Sequence, residues 1–152
     1  MKIAGRKFSL GIGCDRGTPI ETLVHAVDQA LVLVQAQSSD VAAVASITLK
    51  ADEPGLLALA AQRGWDIIFY RPEELAAVTV PNPSETVRKY TGTPSVSEAA
   101  ALLAAGADNS CRLLVEKYKH RGTDGRNATV SIACCCGDLW PQSLNSNPRS
   151  SP

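Results

Sequence analysis

The sequence predicts an α/β fold with three layers, α/β/α, built on a mainly parallel, mixed sheet that ends in an antiparallel pair of C-terminal strands. Two observations support this prediction. The first half of the chain alternates short apolar segments with helix-start signals, which is the pattern of a sheet covered by helices. Near the C-terminal end, two apolar segments flank a Gly-Thr-Asp-Gly turn signal, which indicates that these two strands pair with each other.

The first strand and the first helix follow from the residues near the N-terminus. Residues 8–13 are mostly apolar and end in glycine, which is typical of a short strand. Thr18 can cap the next helix, Pro19 suits its first position, and Glu21 completes a capping box. Apolar side chains then recur at helical spacing as far as Val34, so this helix has one buried face.

Two further strands and two helices follow along the chain. Residues 41–48 are β-branched and small, which predicts a second strand, and the helix after it ends at Gly64. Residues 65–70 predict a third strand that is buried on both faces, as in a parallel sheet covered by helices. Pro72 opens a short helix that extends to Ala77.

The second half of the chain begins with a rigid turn. In Pro-Asn-Pro-Ser each proline fixes its own φ and pushes the preceding residue toward extended backbone, so a helix starts near Ser84. Ser95 and Glu98 form a capping box at the start of an alanine-rich helix, which Gly106 ends.

The chain closes with the antiparallel strand pair and a polar tail. The paired strands comprise residues 113–118 and 128–136. We expect one domain over residues 1–136 and a disordered tail over residues 137–152, because the tail cannot bury enough apolar area to become ordered.

Composition narrows the range of partners. The chain has 152 residues, which fits a single domain, and 15 basic residues balance 15 acidic ones. A neutral protein does not gather nucleic acid or anionic membrane by its overall field. The two Phe, three Tyr and two Trp are scattered, so no platform for stacking bases is predicted. We therefore expect neither a nucleic acid nor a membrane as partner.

The sequence also predicts a cytoplasmic protein with reduced thiols. The apolar segment near the N-terminus is too short for the core of a signal peptide, and no apolar run is long enough to span a membrane. Five cysteines form an odd number without the spacing of a secreted disulfide scaffold.

The segment Gly-Ile-Gly-Cys-Asp-Arg-Gly-Thr is the first candidate site. It joins a strand to a helix, where backbone N–H groups and the helix dipole attract an anion, and its arginine adds a positive charge. Its G-x-G-x-x-x-G spacing differs from the dinucleotide fingerprint. The alternative is that the glycines only permit a sharp turn. The expected ligand-binding residues here are Gly13, Cys14, Arg16, Gly17 and Thr18.

Three other segments offer polar side chains. Ser46 and Lys50 follow the second strand, at the carboxyl edge of the sheet where ligands gather. Asn82 and Ser84 lie on the stiff proline turn, and Lys117 shares a strand face with a second lysine, so that the two ammonium groups can clamp a carboxylate. Each segment also has a structural interpretation, as a solvated strand end, a helix cap or a hairpin end.

Neither a cofactor nor a metal is predicted. The three consecutive cysteines that begin at Cys134 invite a metal interpretation, but adjacent strand residues point to opposite faces and cannot form a closed tetrahedral site. His25 and His120 have no ligand partner at metal spacing in the sequence.

Together the motifs resemble the CobE/CbiG C-terminal family, from about residue 8 to residue 133. The matching segments are the glycine segment, Ser-Ile-Thr-Leu-Lys-Ala-Asp-Glu-Pro-Gly-Leu, Pro-Asn-Pro-Ser-Glu, and Thr-Gly-Thr-Pro-Ser-Val-Ser-Glu-Ala-Ala-Ala. The chain departs from the family at Asp15, which takes one place of an expected basic pair, and at Glu116, where proline is expected. The resemblance implies a role in cobalamin (corrin ring) biosynthesis.

What the resemblance implies about the ligand agrees with the residues. The family acts alone or as the last part of CbiG, which opens the lactone of cobalt-precorrin-5A and releases acetaldehyde. The expected partner is a precorrin or cobalt-corrin intermediate, whose carboxylates need N–H groups, Arg and Lys, and other corrin-pathway enzymes are further candidates. One alternative is a cobalt-precorrin-5A hydrolase component, in which Lys50 or Lys117 stabilises an oxyanion. A nucleotide-binding enzyme, suggested only by the glycine segment, is the other.

Overall fold

A computed structural model of the chain describes residues 7–93, 95–106 and 111–135. Five strands form one mixed sheet in the order β3-β2-β1-β5-β4. The strands are β1 (Phe8–Cys14), β2 (Val41–Ile47), β3 (Ile67–Tyr70), β4 (Cys111–Arg121) and β5 (Asn127–Cys135). The first three are parallel to one another, whereas β5 is antiparallel to both β1 and β4. The predicted mixed sheet with its antiparallel C-terminal pair is confirmed.

Helices cover both faces of this sheet. They are α1 (Ile20–Leu33), α2 (Pro54–Arg63), α3 (Pro72–Ala76), α4 (Glu85–Thr91) and α5 (Val96–Ala104). Helices α1 and α2 pack on one face, and α3 and α5 pack on the other, which gives the three predicted layers. No helix among the described residues is long and apolar enough to cross a membrane. The predicted tail and Cys136 lie outside the described residues.

Helices pack on both faces of the central strand β1. Its Leu10 and Ile12 are fully buried against α1 and α2, because alternate residues of a strand point to the same face. On the opposite face, a Cβ added to Gly11 would lie 1.9 Å from the carbonyl oxygen of Ser97. Helix α5 therefore rests directly on the backbone of β1, and only glycine permits this approach.

The predictions for the burial of β3 and for the cap of α1 are wrong. The third strand is not buried on both faces, because β3 lies at the sheet edge and pairs only with β2, and Ile68 is 42% exposed. The capping box of α1 does not form: the Thr18 hydroxyl donates to the carbonyl oxygen of Asp15 at 2.7 Å, and Pro19 is the N-cap without a side-chain cap bond. The tight turn before the helix directs that hydroxyl backward along the chain.

The expectation of reduced thiols is wrong for Cys111, which is disulfide-bonded. An odd number of cysteines does not reveal which of them the fold brings together. Cys14 and Cys134 are free.

Candidate functional site

The glycine loop, residues 15–18, lies between β1 and α1 and is anchored to the start of β5. The Asp15 carboxylate accepts hydrogen bonds from the backbone N–H and the side-chain amide of Asn127, at 2.8 and 3.1 Å. Arg126 donates to the carbonyl oxygen of Arg16 at 3.0 Å. Gly17 has a φ of 81°, which an L side chain rarely adopts, so the turn itself requires this glycine.

Arg16, the positively charged residue of this loop, already pairs with acidic side chains. The Arg16 guanidinium lies 3.0 Å from the Asp52 carboxylate and 3.2 Å from that of Glu53. The hydrogen bond to Asp52 raises the pKa of Arg16 and lowers the pKa of the Asp52 carboxyl. Because the Arg16 and Asp52 side chains are 62% and 82% exposed, water screens this pair, and another carboxylate can replace Asp52.

Glu53 fills the anion position that the sequence predicts for a ligand. Its carboxylate is fully buried and accepts a hydrogen bond from the backbone N–H of Gly17 at 2.8 Å. The second carboxylate oxygen has Arg16 as its neighbour. The chain thus supplies the anion of this loop, and the position of Glu53 argues against a nucleotide phosphate there. Sequence reasoning missed Glu53, because its position before Pro54 also fits an ordinary helix start.

Three predicted residues lie beside the loop and have different roles. Ser46 is fully buried and donates to the carbonyl oxygen of Ile12 at 2.6 Å, so it ties β2 to β1 beneath the surface. Lys50 ends a short 3-10 turn (Thr48–Lys50), is half-buried, and has no ion pair among the residues that the structure describes. Burial raises the pKa of the half-buried Cys14 thiol to about 11, against the opposing effect of the Lys50 charge. The thiol is therefore protonated at neutral pH and is not a ready nucleophile.

A second polar group, the Asn82 cluster, comprises Asn82, Glu98, Glu116 and Lys117. The Asn82 side-chain amide donates to Glu98 at 2.6 Å and to Glu116 at 3.0 Å. The Asn82 backbone N–H also donates to Glu98 at 3.3 Å, and the Lys117 ammonium donates to the Asn82 carbonyl oxygen at 3.1 Å. The cluster thereby fastens the proline turn to α5 and β4.

Glu98 is the second residue that sequence reasoning missed as part of a site. It is fully buried, and its carboxylate faces Asn82, so the predicted capping box with Ser95 does not form. Ser84, by contrast, caps α4 as predicted, since its hydroxyl oxygen accepts from the Val87 N–H at 3.2 Å. The interpretation of Ser84 as a helix cap therefore explains this residue without a ligand.

The start of α5 reaches the end of β1. A Cβ added to Gly13 would lie 3.8 Å from the Val96 side chain, in ordinary van der Waals contact. Gly13 and Cys14 are both half-buried at this end of the strand. The polar residues near these strand ends form two groups. One is the glycine loop with its flanking residues, and the other is the Asn82 cluster. Among the described residues no hydrogen bond joins the two groups. The first turn of α5 connects them: its Glu98 belongs to the Asn82 cluster, and its Val96 contacts Gly13 beside the glycine loop.

These features define a class of protein: an α/β domain with an open mixed sheet and polar groups near the carboxyl ends of its parallel strands, where such folds bind small ligands. Comparison with known proteins then gives the family. The model for the cobalamin synthesis G C-terminus family matches residues 8–133, and the chain belongs to this family. It is a cobalamin biosynthesis protein.

Two curated relatives share 38% identity with the chain. The cobalt-precorrin-5A hydrolase of Priestia megaterium matches over 126 residues, which are 83% of this chain but 32% of that protein. Protein CobE of a Sinorhizobium species matches over 116 residues, which are 75% of this chain and 74% of that protein. The chain thus spans about a third of the hydrolase and most of CobE.

Solved structures agree with the fold. The crystal structure of CobE, from the cobalamin (vitamin B12) biosynthetic pathway, has a TM-score of 0.72 and 33% identity, covering 84% of this chain and 89% of that one. The cobalamin biosynthesis protein chiG of Agrobacterium tumefaciens has a TM-score of 0.61 and 30% identity, covering 86% and 99%.

Proposed function

We propose that this protein binds a precorrin or cobalt-precorrin intermediate at the carboxyl edge of its sheet and holds it for the next step of corrin synthesis. One observation carries the proposal: Lys50 has no ion pair within the described part of the chain, although it stands beside the ends of β1 and β2. A lysine in that position is available to a ligand carboxylate. Family membership supplies the ligand class.

The charges near the edge suit a ligand with several carboxylates. Lys50 lies near Cys14 on one side. On the other side the Lys117 ammonium donates to a neutral carbonyl oxygen, and no ion pair of Lys117 is found within the described ranges. Charge-assisted hydrogen bonds from such ammonium groups to carboxylates are about twice as strong as neutral ones. Arg16 contributes less, because a ligand carboxylate has to displace Asp52 from it.

The test is a titration of the purified chain with isolated cobalt-precorrin-5A, followed by absorbance. Replacing the ammonium, Lys50→Ala, is expected to weaken binding about tenfold, because one charge-assisted contact is lost. Lys89→Ala is the matched control, since Lys89 is exposed on α4 and contacts the Tyr90 ring. Equal affinities of the wild type and Lys50→Ala would remove Lys50 from the site, and absence of binding by the wild type would end the proposal.

A second candidate is catalysis of lactone opening. The name of the Priestia megaterium relative favours it, whereas the chain spans only 32% of that protein. In this mechanism the Lys50 or Lys117 ammonium stabilises the oxyanion that forms when water attacks the lactone carbonyl. Release of acetaldehyde from cobalt-precorrin-5A by the chain alone would establish turnover, and binding without release would assign it a carrier role.

Partners and location follow from the same proposal. A protein that holds an unstable intermediate has to receive it from one enzyme of the pathway and pass it to another, so corrin-pathway enzymes are the expected partners. The cytoplasm is the expected compartment.

A further inference from the structure

The first turn of α5 has unpaired hydrogen-bond donors. A helix leaves the N–H groups of its first turn without partners inside the helix, and those of Val96, Ser97 and Glu98 have no acceptor among the described residues. Ser95 occupies the N-cap position, yet its side chain makes no cap bond. Ser84, at the same position of α4, does make one.

Two buried hydroxyl groups flank this helix start. The oxygen atoms of Ser95 and Thr93 are buried, in residues that are 1% and 0% exposed, and neither has a hydrogen-bond partner in the described structure. Buried hydroxyl groups in native proteins nearly always have a partner, because leaving one unpaired is costly. These hydroxyls are a second, independent sign that the start of α5 receives a polar group.

The glycine loop offers a contrast. There the Gly17 N–H already donates to the buried Glu53 carboxylate at 2.8 Å, so the loop is satisfied from within the chain. The start of α5 has donors of the same kind, and no acceptor for them is found in the part of the chain that the structure describes. We propose that the first turn of α5, with the hydroxyls of Ser95 and Thr93, binds a carboxylate group of the ligand. This inference rests on the proposed function and identifies the site that receives one acidic side chain of the intermediate.

The surrounding charges are compatible with a carboxylate there. Glu98 belongs to the first turn, but both oxygens of its carboxylate already accept hydrogen bonds from Asn82. Glu116, in the same cluster, accepts a hydrogen bond from the Asn82 side-chain amide, and the Lys117 ammonium donates to the Asn82 carbonyl oxygen. The N–H groups and the helix dipole then supply the local positive potential.

Amide chemical shifts of the full, ¹⁵N-labelled chain locate the site directly. Two compounds are titrated separately: tricarballylate, a small tricarboxylate, and uroporphyrin III, a stable tetrapyrrole rich in carboxylates. Both are expected to shift the amide signals of Val96, Ser97 and Glu98 and to leave that of Gly17 unchanged. A shift of the Gly17 amide signal without any shift of the Val96, Ser97 and Glu98 signals would overturn the inference.

These titrations, together with the absorbance titration of cobalt-precorrin-5A, separate this inference from the proposed function. If tricarballylate shifts the α5 amides and cobalt-precorrin-5A does not bind, the carboxylate site stands and the proposed function fails. If cobalt-precorrin-5A binds and neither probe shifts the α5 amides, the proposed function stands and this inference fails.

Variants of Ser95 complete the test. Ser95→Ala is expected to weaken tricarballylate binding about tenfold, because a hydroxyl donor to a charged acceptor is lost. Thr123→Ala removes a hydroxyl from an exposed turn and is the control, with no expected change. Ser95→Asp places a carboxylate at the N-cap, so it is expected to abolish binding and to raise the melting temperature. Unchanged affinity in Ser95→Asp would overturn the inference, even if Ser95→Ala fails to fold.

Discussion

The Glu53 carboxylate accepts a hydrogen bond from the Gly17 N–H at 2.8 Å, across 36 residues of sequence. This contact links the start of α2 to the glycine loop. A loop that would otherwise receive an anion is thereby closed by the chain itself, and its shape does not depend on a ligand.

The first prediction concerns the charge of Glu53. Glu53→Gln keeps an acceptor for the Gly17 N–H but removes the buried charge opposite Arg16, so the free energy of unfolding is expected to fall by about 2 kcal/mol. Urea denaturation measures this change. Asp52→Asn is the control. The Asp52 side chain is 82% exposed, so solvent screens its charge and the free energy of unfolding is expected to change little. A larger loss in Asp52→Asn than in Glu53→Gln would contradict the assignment.

The second prediction concerns the contact of α5 with β1. Gly11→Ala places a Cβ 1.9 Å from the Ser97 carbonyl oxygen, so α5 has to move, and unfolding is expected to become easier by about 3 kcal/mol or more. Gly64→Ala is the matched control. Its φ of 71° is unfavourable for alanine, yet nothing lies within 4 Å, so the expected loss is about 1 kcal/mol. Equal losses in the two variants would show that space at Gly11 is not limiting.

The third prediction concerns the reactivity of Cys14. With a thiol pKa of about 11, alkylation at pH 7.5 is expected to be slow and to accelerate until the pH passes that value. Iodoacetamide labelling followed by mass spectrometry of the Cys14 peptide measures the rate. Lys50→Ala is expected to slow the reaction further, because the Lys50 charge lowers this pKa. Rapid labelling at neutral pH would contradict the burial of the thiol.

Linkage gives this thiol a second consequence. The unfolded thiol loses its proton near pH 9.0, whereas the folded one keeps it to about pH 11. The unfolded state therefore binds fewer protons in this range, and the contribution of Cys14 to stability is expected to decrease as the pH rises between these values. A Cys14→Ala variant should lack this component.

The fourth prediction concerns His25 and His120, whose ring centroids lie 4.0 Å apart across α1 and β4. Burial and the neighbouring His25 lower the pKa of His120. As the pH falls below the ordinary histidine value, the unfolded state takes up this proton first, so stability decreases toward acid. Urea denaturation from pH 7.5 to 5.5 is expected to show a shallower decline in His25→Ala than in the wild type. The same slope in both would exclude coupling between the rings.

Local sequence signals predicted most of the fold. The sequence predicted the mixed sheet and its C-terminal strand pair, the end of α2 at Gly64 and the start of α4 at Ser84. These features depend on residue spacing and on single-residue preferences, which are visible along the chain. The burial of β3 was predicted wrongly, because a four-residue apolar strand looks the same at the edge of a sheet as at its centre. Only the order of the strands distinguishes the two cases.

The candidate site was less accessible to sequence reasoning. Glycine, arginine and lysine positions could be chosen by residue type, but Glu53 and Glu98 reach their partners only after folding. Ser46 shows the converse, since a serine at the end of a strand suggests a ligand contact, whereas this one is buried against Ile12. Which polar groups are satisfied inside the protein depends on contacts between distant segments, and no local pattern records them.

The absence of a side chain at Gly11 has a mechanical consequence for the proposed site. Since the backbone of α5 at Ser97 and Ala101 rests on the backbone of Gly11 in the middle of β1, helix and strand form one stiff unit at that contact, with no intervening side chain to rearrange, and this holds the start of α5 in place. A ligand that settles there meets a receptor shaped in advance, and little of its binding free energy goes into ordering the protein.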